Sequence, residues 1–83
     1  MQLHILYFAR LRDTFGRAEE HLEFSGTTIG ALIDLLVARG DDWREALGGG
    51  RPFRVARNQA IATVDTVLSE GDEIAIFPPV TGG

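Results

Sequence analysis

Cysteine is absent from this 83-residue chain, which excludes a disulfide framework and any thiolate site for a metal or an iron-sulfur cluster. His4 and His21 are its two histidines, and alone they cannot fill a zinc shell, so no metal site is expected. Lysine is missing as well. All eight basic residues are arginines, Arg10, Arg12, Arg17, Arg39, Arg44, Arg51, Arg54 and Arg57, interleaved with acids rather than gathered into a block. With a net charge of -4, that scattering argues against a phosphate-backbone partner, and nucleic acid is not expected. No apolar run approaches the roughly 18 residues of a membrane-spanning helix, so no membrane partner is expected. Met1-Gln2-Leu3-His4-Ile5 has no basic leader and goes straight into an alternating pattern, so no signal peptide is expected and the location is read as cytoplasmic.

What is present is enough apolar material for one folded domain: hydrophobic residues make up 45% of a chain without internal repeats. Residues 3 to 8 read as a strand, with Leu3, Ile5 and Tyr7 on one face and His4, Leu6 and Phe8 on the other. Ala9 to Phe15 suits a short helical turn closed by Gly16, and Glu20 to Phe24 alternates again, with Leu22 and Phe24 inward. Ser25-Gly26-Thr27-Thr28 offers a turn and an N-cap, after which Ile29, Leu32, Ile33, Leu36 and Val37 recur at helical spacing as far as Gly40.

Asp41 to Leu47 suits a second short helix with Trp43 at the edge of the core. Gly48-Gly49-Gly50 lacks the Gly-Lys-Ser/Thr ending of a phosphate-binding loop and precedes a strand, so it is read as a turn. Phe53 to Arg57 and Ala60 to Thr63 are short strands around Asn58-Gln59, and Glu73 to Phe77 is the last strand. This order predicts an α+β fold, a β-grasp or ubiquitin-like roll: a mixed four- to five-stranded sheet with one main helix packed on one face. If Ile74 and Ile76 face that helix, Ala75 and Phe77 join Leu6 and Phe8 on the opposite face as an apolar patch, the usual mark of a partner surface.

The patch lies beside the root of the chain's most distinctive stretch, Phe77-Pro78-Pro79-Val80-Thr81-Gly82-Gly83. Two prolines hold the stem extended, and two residues without side chains follow. Frayed terminal glycines are common, but a stiff stem ahead of a thin end suits insertion into another protein, where the terminal carboxylate is the reacting group. The expected division is a β-grasp domain over 1–77 and an extended tail over 78–83. A GC-rich coding sequence accounts for the arginine bias; the absence of lysine and cysteine also suits a chain whose own end becomes an activated acyl group.

This ending, with Gly71-Asp72-Glu73-Ile74-Ala75, Tyr7-Phe8-Ala9, Arg12 and Asn58-Gln59, resembles the small-subunit family of molybdopterin synthase, the sulfur carriers of molybdenum cofactor biosynthesis. The resemblance implies chemistry at Gly83, whose carboxylate is a poor electrophile until activated. An adenylating enzyme would use ATP and magnesium to form the acyl-adenylate, and a sulfur donor would convert it to a thiocarboxylate. The tail, through Gly82, Thr81, Val80, Pro79 and Pro78, would enter the large synthase subunit and give sulfur to cyclic pyranopterin monophosphate, building the dithiolene in two transfers.

On this reading the chain binds no cofactor and is a sulfur-donor subunit rather than an enzyme on its own. Two carriers would sit on a dimer of the large subunit. Phe8, Arg12, Ile61 and Phe77 match family positions at or near the subunit interface. Three alternatives stand beside it. A carrier for thiamine thiazole synthesis shares the carboxyl chemistry, although such chains are usually shorter and lack the Phe-Pro-Pro-Val stem. A ubiquitin-like modifier would end as an isopeptide on lysine, and a passive β-grasp binding module would tolerate loss of Gly82 and Gly83.

Overall fold

The computed structural model of the protein describes residues 1–79. The elements run β1 (Gln2–Tyr7), α1 (Arg10–Phe15), β2 (Glu19–Glu23), α2 (Ile29–Val37), α3 (Asp41–Gly48), β3 (Arg54–Arg57), β4 (Ala60–Ala62) and β5 (Glu73–Phe77). Among the described residues they form one mixed five-stranded sheet in the order β2-β1-β5-β3-β4. β1 and β5 pair in parallel at its centre, and every other pairing is antiparallel. This is the α+β, β-grasp arrangement that the element order predicts.

Period-two alternation decides which side of the sheet is wet. Leu3, Ile5 and Tyr7 of β1, Val55 of β3, and Ile74 and Ile76 of β5 are all buried on the inner face. Ile29, Leu32, Ile33 and Leu36 of α2 are buried in the same core, each contributing about 1.5–3 kcal/mol on leaving water. Thr28 starts α2 from an extended conformation, and its hydroxyl accepts the Ala31 N–H at 3.2 Å. Residues from α1 (Leu11, Phe15) and α3 (Ala46, Leu47) complete this core, with α3 packed against α2 and α1 against α3.

Element boundaries differ from expectation by a few residues. α2 ends at Val37, Ala38 keeps right-handed helical angles and the Arg39 N–H donates to the Leu36 carbonyl at 3.1 Å, so the last turn tightens just before Gly40, while the Arg39 guanidinium reaches both oxygens of Glu20, at 2.7 and 2.8 Å. The same guanidinium lies 4.7 Å from the centre of the Trp43 ring, which stacks on Phe15 at 3.8 Å. β2 ends one residue early, yet Phe24 remains buried and its N–H donates to the Met1 carbonyl at 2.8 Å.

Asn58 and Gln59 both take positive φ, 50° and 71°, the conformation of a primed two-residue hairpin turn whose twist matches its strands. That turn is latched to the start of β5. The Asn58 N–H donates to the Glu73 carbonyl at 2.8 Å, and the Glu73 N–H donates to Asn58 Oδ1 at 2.9 Å. No helix among the described residues is long and apolar enough to cross a membrane.

Candidate functional site

The outer face of the sheet is organised by register. Leu6 pairs with Ala75, Ala75 with Ala56, and Ala56 with Ile61, so one row of apolar side chains crosses four strands. Two alanines at its centre leave the row low between Leu6 and Ile61. Ile61 is 71% exposed, a large fraction for a β-branched aliphatic side chain on a strand.

Toward the C-terminal end of β5 the face becomes aromatic. The Phe8 N–H donates to the Ile76 carbonyl at 3.2 Å, extending the β1–β5 ladder and setting Phe8 beside Phe77, with Arg54 opposite Phe77 on β3. Phe8 is 45% exposed, while Phe77, Pro78 and Pro79 are half-buried. Ala9 follows at φ 53°, ψ -131°, a region that costs a residue with a Cβ of order 1–3 kcal/mol. This kink turns the chain from β1 into α1 directly after Phe8.

The opposite end of the face is polar. His4 stands between His21 of β2 and Glu73 of β5, with Glu19 two residues before His21. The open face therefore runs from a charged end to an apolar end, and the tail root rises from the apolar one.

Two polar clusters hold the strands that carry this face. Asp72, buried just before β5, accepts from Arg57 Nε at 2.6 Å, Asn58 Nδ2 at 2.9 Å and the Ser69 N–H at 2.8 Å. Burial alone raises its pKa, but the Arg57 guanidinium, the Asn58 amide and the Ser69 N–H outweigh it and hold the carboxyl below its usual range. At the other end, the Tyr7 hydroxyl donates to Glu20 at 2.6 Å. Burial and then that carboxylate push the phenol well up. Glu20 is pushed up by burial, yet the Arg39 and Tyr7 hydrogen bonds leave it lowered.

Of the residues expected at a partner surface, Phe8, Ile61 and Phe77 share the open face. Arg12 does not; it is exposed on α1, whose Leu11 and Phe15 enter the core on the helical side of the sheet. Val80, Thr81, Gly82 and Gly83 lie outside the described residues. Ala56, Asp72 and Glu20 were not singled out from the sequence. Ala56 was accessible to reasoning, because a two-residue turn at Asn58-Gln59 sets Ala56 against Ile61. Asp72 and Glu20 act through contacts made only by folding.

Residues 5–83 match the ThiS family. The chain belongs to the ThiS family. A protein of Haemophilus influenzae described as molybdopterin synthase sulfur carrier subunit is 41% identical over 81 residues, covering 98% of this chain and 99% of the relative. A Pyrococcus furiosus structure described as a putative molybdopterin converting factor subunit 1 superposes with a TM-score of 0.83 at 30% identity, covering 96% of this chain and 99% of that one. Small archaeal modifier protein 1 of Haloferax volcanii is 32% identical over 92% of this chain and 94% of the relative. Its crystal structure superposes with a TM-score of 0.77 over the whole of both chains.

Proposed function

We propose that this chain is the sulfur carrier subunit of a molybdopterin synthase. The observation that carries the reading is the 41% identity, over 98% of the chain, to a relative described by that role. The geometry supplies a physical account of how it would work. The apolar row with Phe8 and Phe77 is the docking face for a large synthase subunit, and the tail leaves from the edge of that face, so a partner that grips the sheet receives the tail in the same encounter. Phe8, Ile61 and Phe77 are its contacts; Arg12, exposed on α1 and off this face, is a contact only for a partner that also wraps the sheet edge. Pro78 and Pro79 hold the stem, and Val80, Thr81 and Gly82 thread a channel too narrow for bulk at its inner end.

Chemistry belongs to Gly83. An adenylating enzyme binds ATP with magnesium, and the Gly83 carboxylate attacks the α-phosphorus and expels pyrophosphate. The mixed anhydride is an electrophile with AMP as leaving group, and a sulfur donor protein converts it to the thiocarboxylate. Inside the large subunit the terminal sulfur passes to cyclic pyranopterin monophosphate, and water restores the carboxylate. Two carriers on a dimer of large subunits complete the dithiolene. Acids, bases and metal for these steps reside in the partners.

Incubating the protein with ATP, magnesium, activating enzyme and sulfur donor is expected to raise its intact mass by the exchange of one oxygen for sulfur, confined to the C-terminal peptide. An unchanged mass under conditions that sulfurate a known carrier overturns the proposal. Deleting Gly82 and Gly83 is expected to abolish sulfur transfer while leaving the thermal midpoint of the domain unchanged. The likeness to the Haloferax modifier favours a second reading, conjugation of Gly83 to lysines; Gly83-linked branched peptides in a digest of cell protein would identify it.

A further inference from the structure

We propose that the outer face of β1 and β2 carries a three-ligand site for a divalent transition ion of the zinc class, formed by His4, Glu19 and His21. Two histidines alone fall short of such a site, and the fold supplies the third group. Glu19 and His21 are two apart on β2 and so project on one face, while His4 is the cross-strand partner of His21. One donor atom from each of the three lies within 4.8 Å of the others.

The present packing is close to what an ion requires. His4 Nε2 lies 2.8 Å from Glu19 Oε1, and the His4 and His21 rings stack with centroids 4.5 Å apart and 14° between planes. Ligands about 2.0–2.2 Å from a tetrahedral zinc stand roughly 3.4 Å from one another, so rotation of exposed side chains closes the remaining gap. Glu19 and His21 are exposed and His4 is half-buried, so an ion reaches them from solvent without opening the core. Imidazole and carboxylate together suit borderline ions of this kind better than magnesium or calcium, which prefer all-oxygen shells. The cation would replace the present His4–Glu19 hydrogen bond as the link between the two side chains, leaving one coordination position for water or a partner's side chain.

The test uses the full chain without a polyhistidine tag, titrated with zinc ion alone in a non-chelating buffer. Calorimetry is expected to give one equivalent, and the ring resonances of His4 and His21 to shift together, with a chelator reversing both. His21→Gln and Glu19→Gln, each at an exposed position, are expected to weaken binding at least about tenfold, the order lost when even supporting groups of a metal site are removed. Absence of stoichiometric binding overturns the site, and so does binding undiminished in both variants, which would place the ion on other surface groups. Should a variant fail to fold, histidine ring shifts of the unmodified chain decide alone: no joint shift with zinc rejects the proposal.

Discussion

A single carboxylate, Asp72, fixes where the last strand begins. It is buried beneath Arg57, Asn58 and the Ser69 N–H, and these partners favour its charged form. Because its folded pKa lies below its unfolded value, the stabilisation is fully present above the unfolded pKa of about 3.9 and is lost as pH falls through the folded value. Glu20, lowered by Arg39 and Tyr7, adds to the same acid loss. Urea midpoints measured from pH 7 downward should therefore fall below about pH 4, and Asp72→Asn should flatten that fall while costing about 1–3 kcal/mol at neutral pH. A variant as acid-sensitive as the parent would show that another group dominates. Neither carboxylate could be recognised from sequence. Leu68-Ser69-Glu70-Gly71-Asp72 reads as an ordinary turn, and the spacing of Tyr7 and Glu20 becomes a contact only after β1 and β2 pair.

Local patterns were the legible part of the elements. The Ser25-Gly26-Thr27-Thr28 run ahead of an apolar repeat located the start of α2, and the Thr28 hydroxyl does accept the Ala31 N–H. Thr28→Ala should cost about 1 kcal/mol in chemical denaturation, the usual loss for an N-cap. The end of α2 falls short of Gly40 because its last turn tightens at Arg39, whose N–H donates to the Leu36 carbonyl, a local change that apolar spacing does not encode. At the hairpin, Gln59 holds φ 71°, where a Cβ is unfavourable and the preferred pair is Asn-Gly. Gln59→Gly should raise stability by up to about 1 kcal/mol, offset in part by the greater freedom of glycine when unfolded. A drop in the thermal midpoint would mean that the Gln59 side chain makes a contribution the turn geometry does not reveal.

At the scale of the molecule, strand alternation foretold an open apolar face with Leu6, Phe8, Ala75 and Phe77, and register extended it across β3 to Ala56 and across β4 to Ile61. The Asn58-Gln59 turn already sets Ala56 against Ile61, but that this pair continues the row from Ala75 depends on the sheet order, which sequence alone could not supply. Phe8→Ala and Ile61→Ala remove exposed side chains, so thermal midpoints should move little. Affinity for the large subunit should drop about tenfold or more for at least one of them, as expected of an anchor at the centre of an interface. Unchanged affinity in both would place docking on another surface.

β5 is the last strand of the described chain to be synthesised, and it occupies the middle of the sheet between β1 and β3. Until residues 73–77 arrive, the β1–β2 pair has no inner neighbour and the β3–β4 hairpin has no strand of the sheet to pair with. Long-range parallel pairing of this kind is intrinsically slow to form. The strand that completes the apolar face is also the one that carries the tail root, so a chain lacking residues 73–77 lacks both at once.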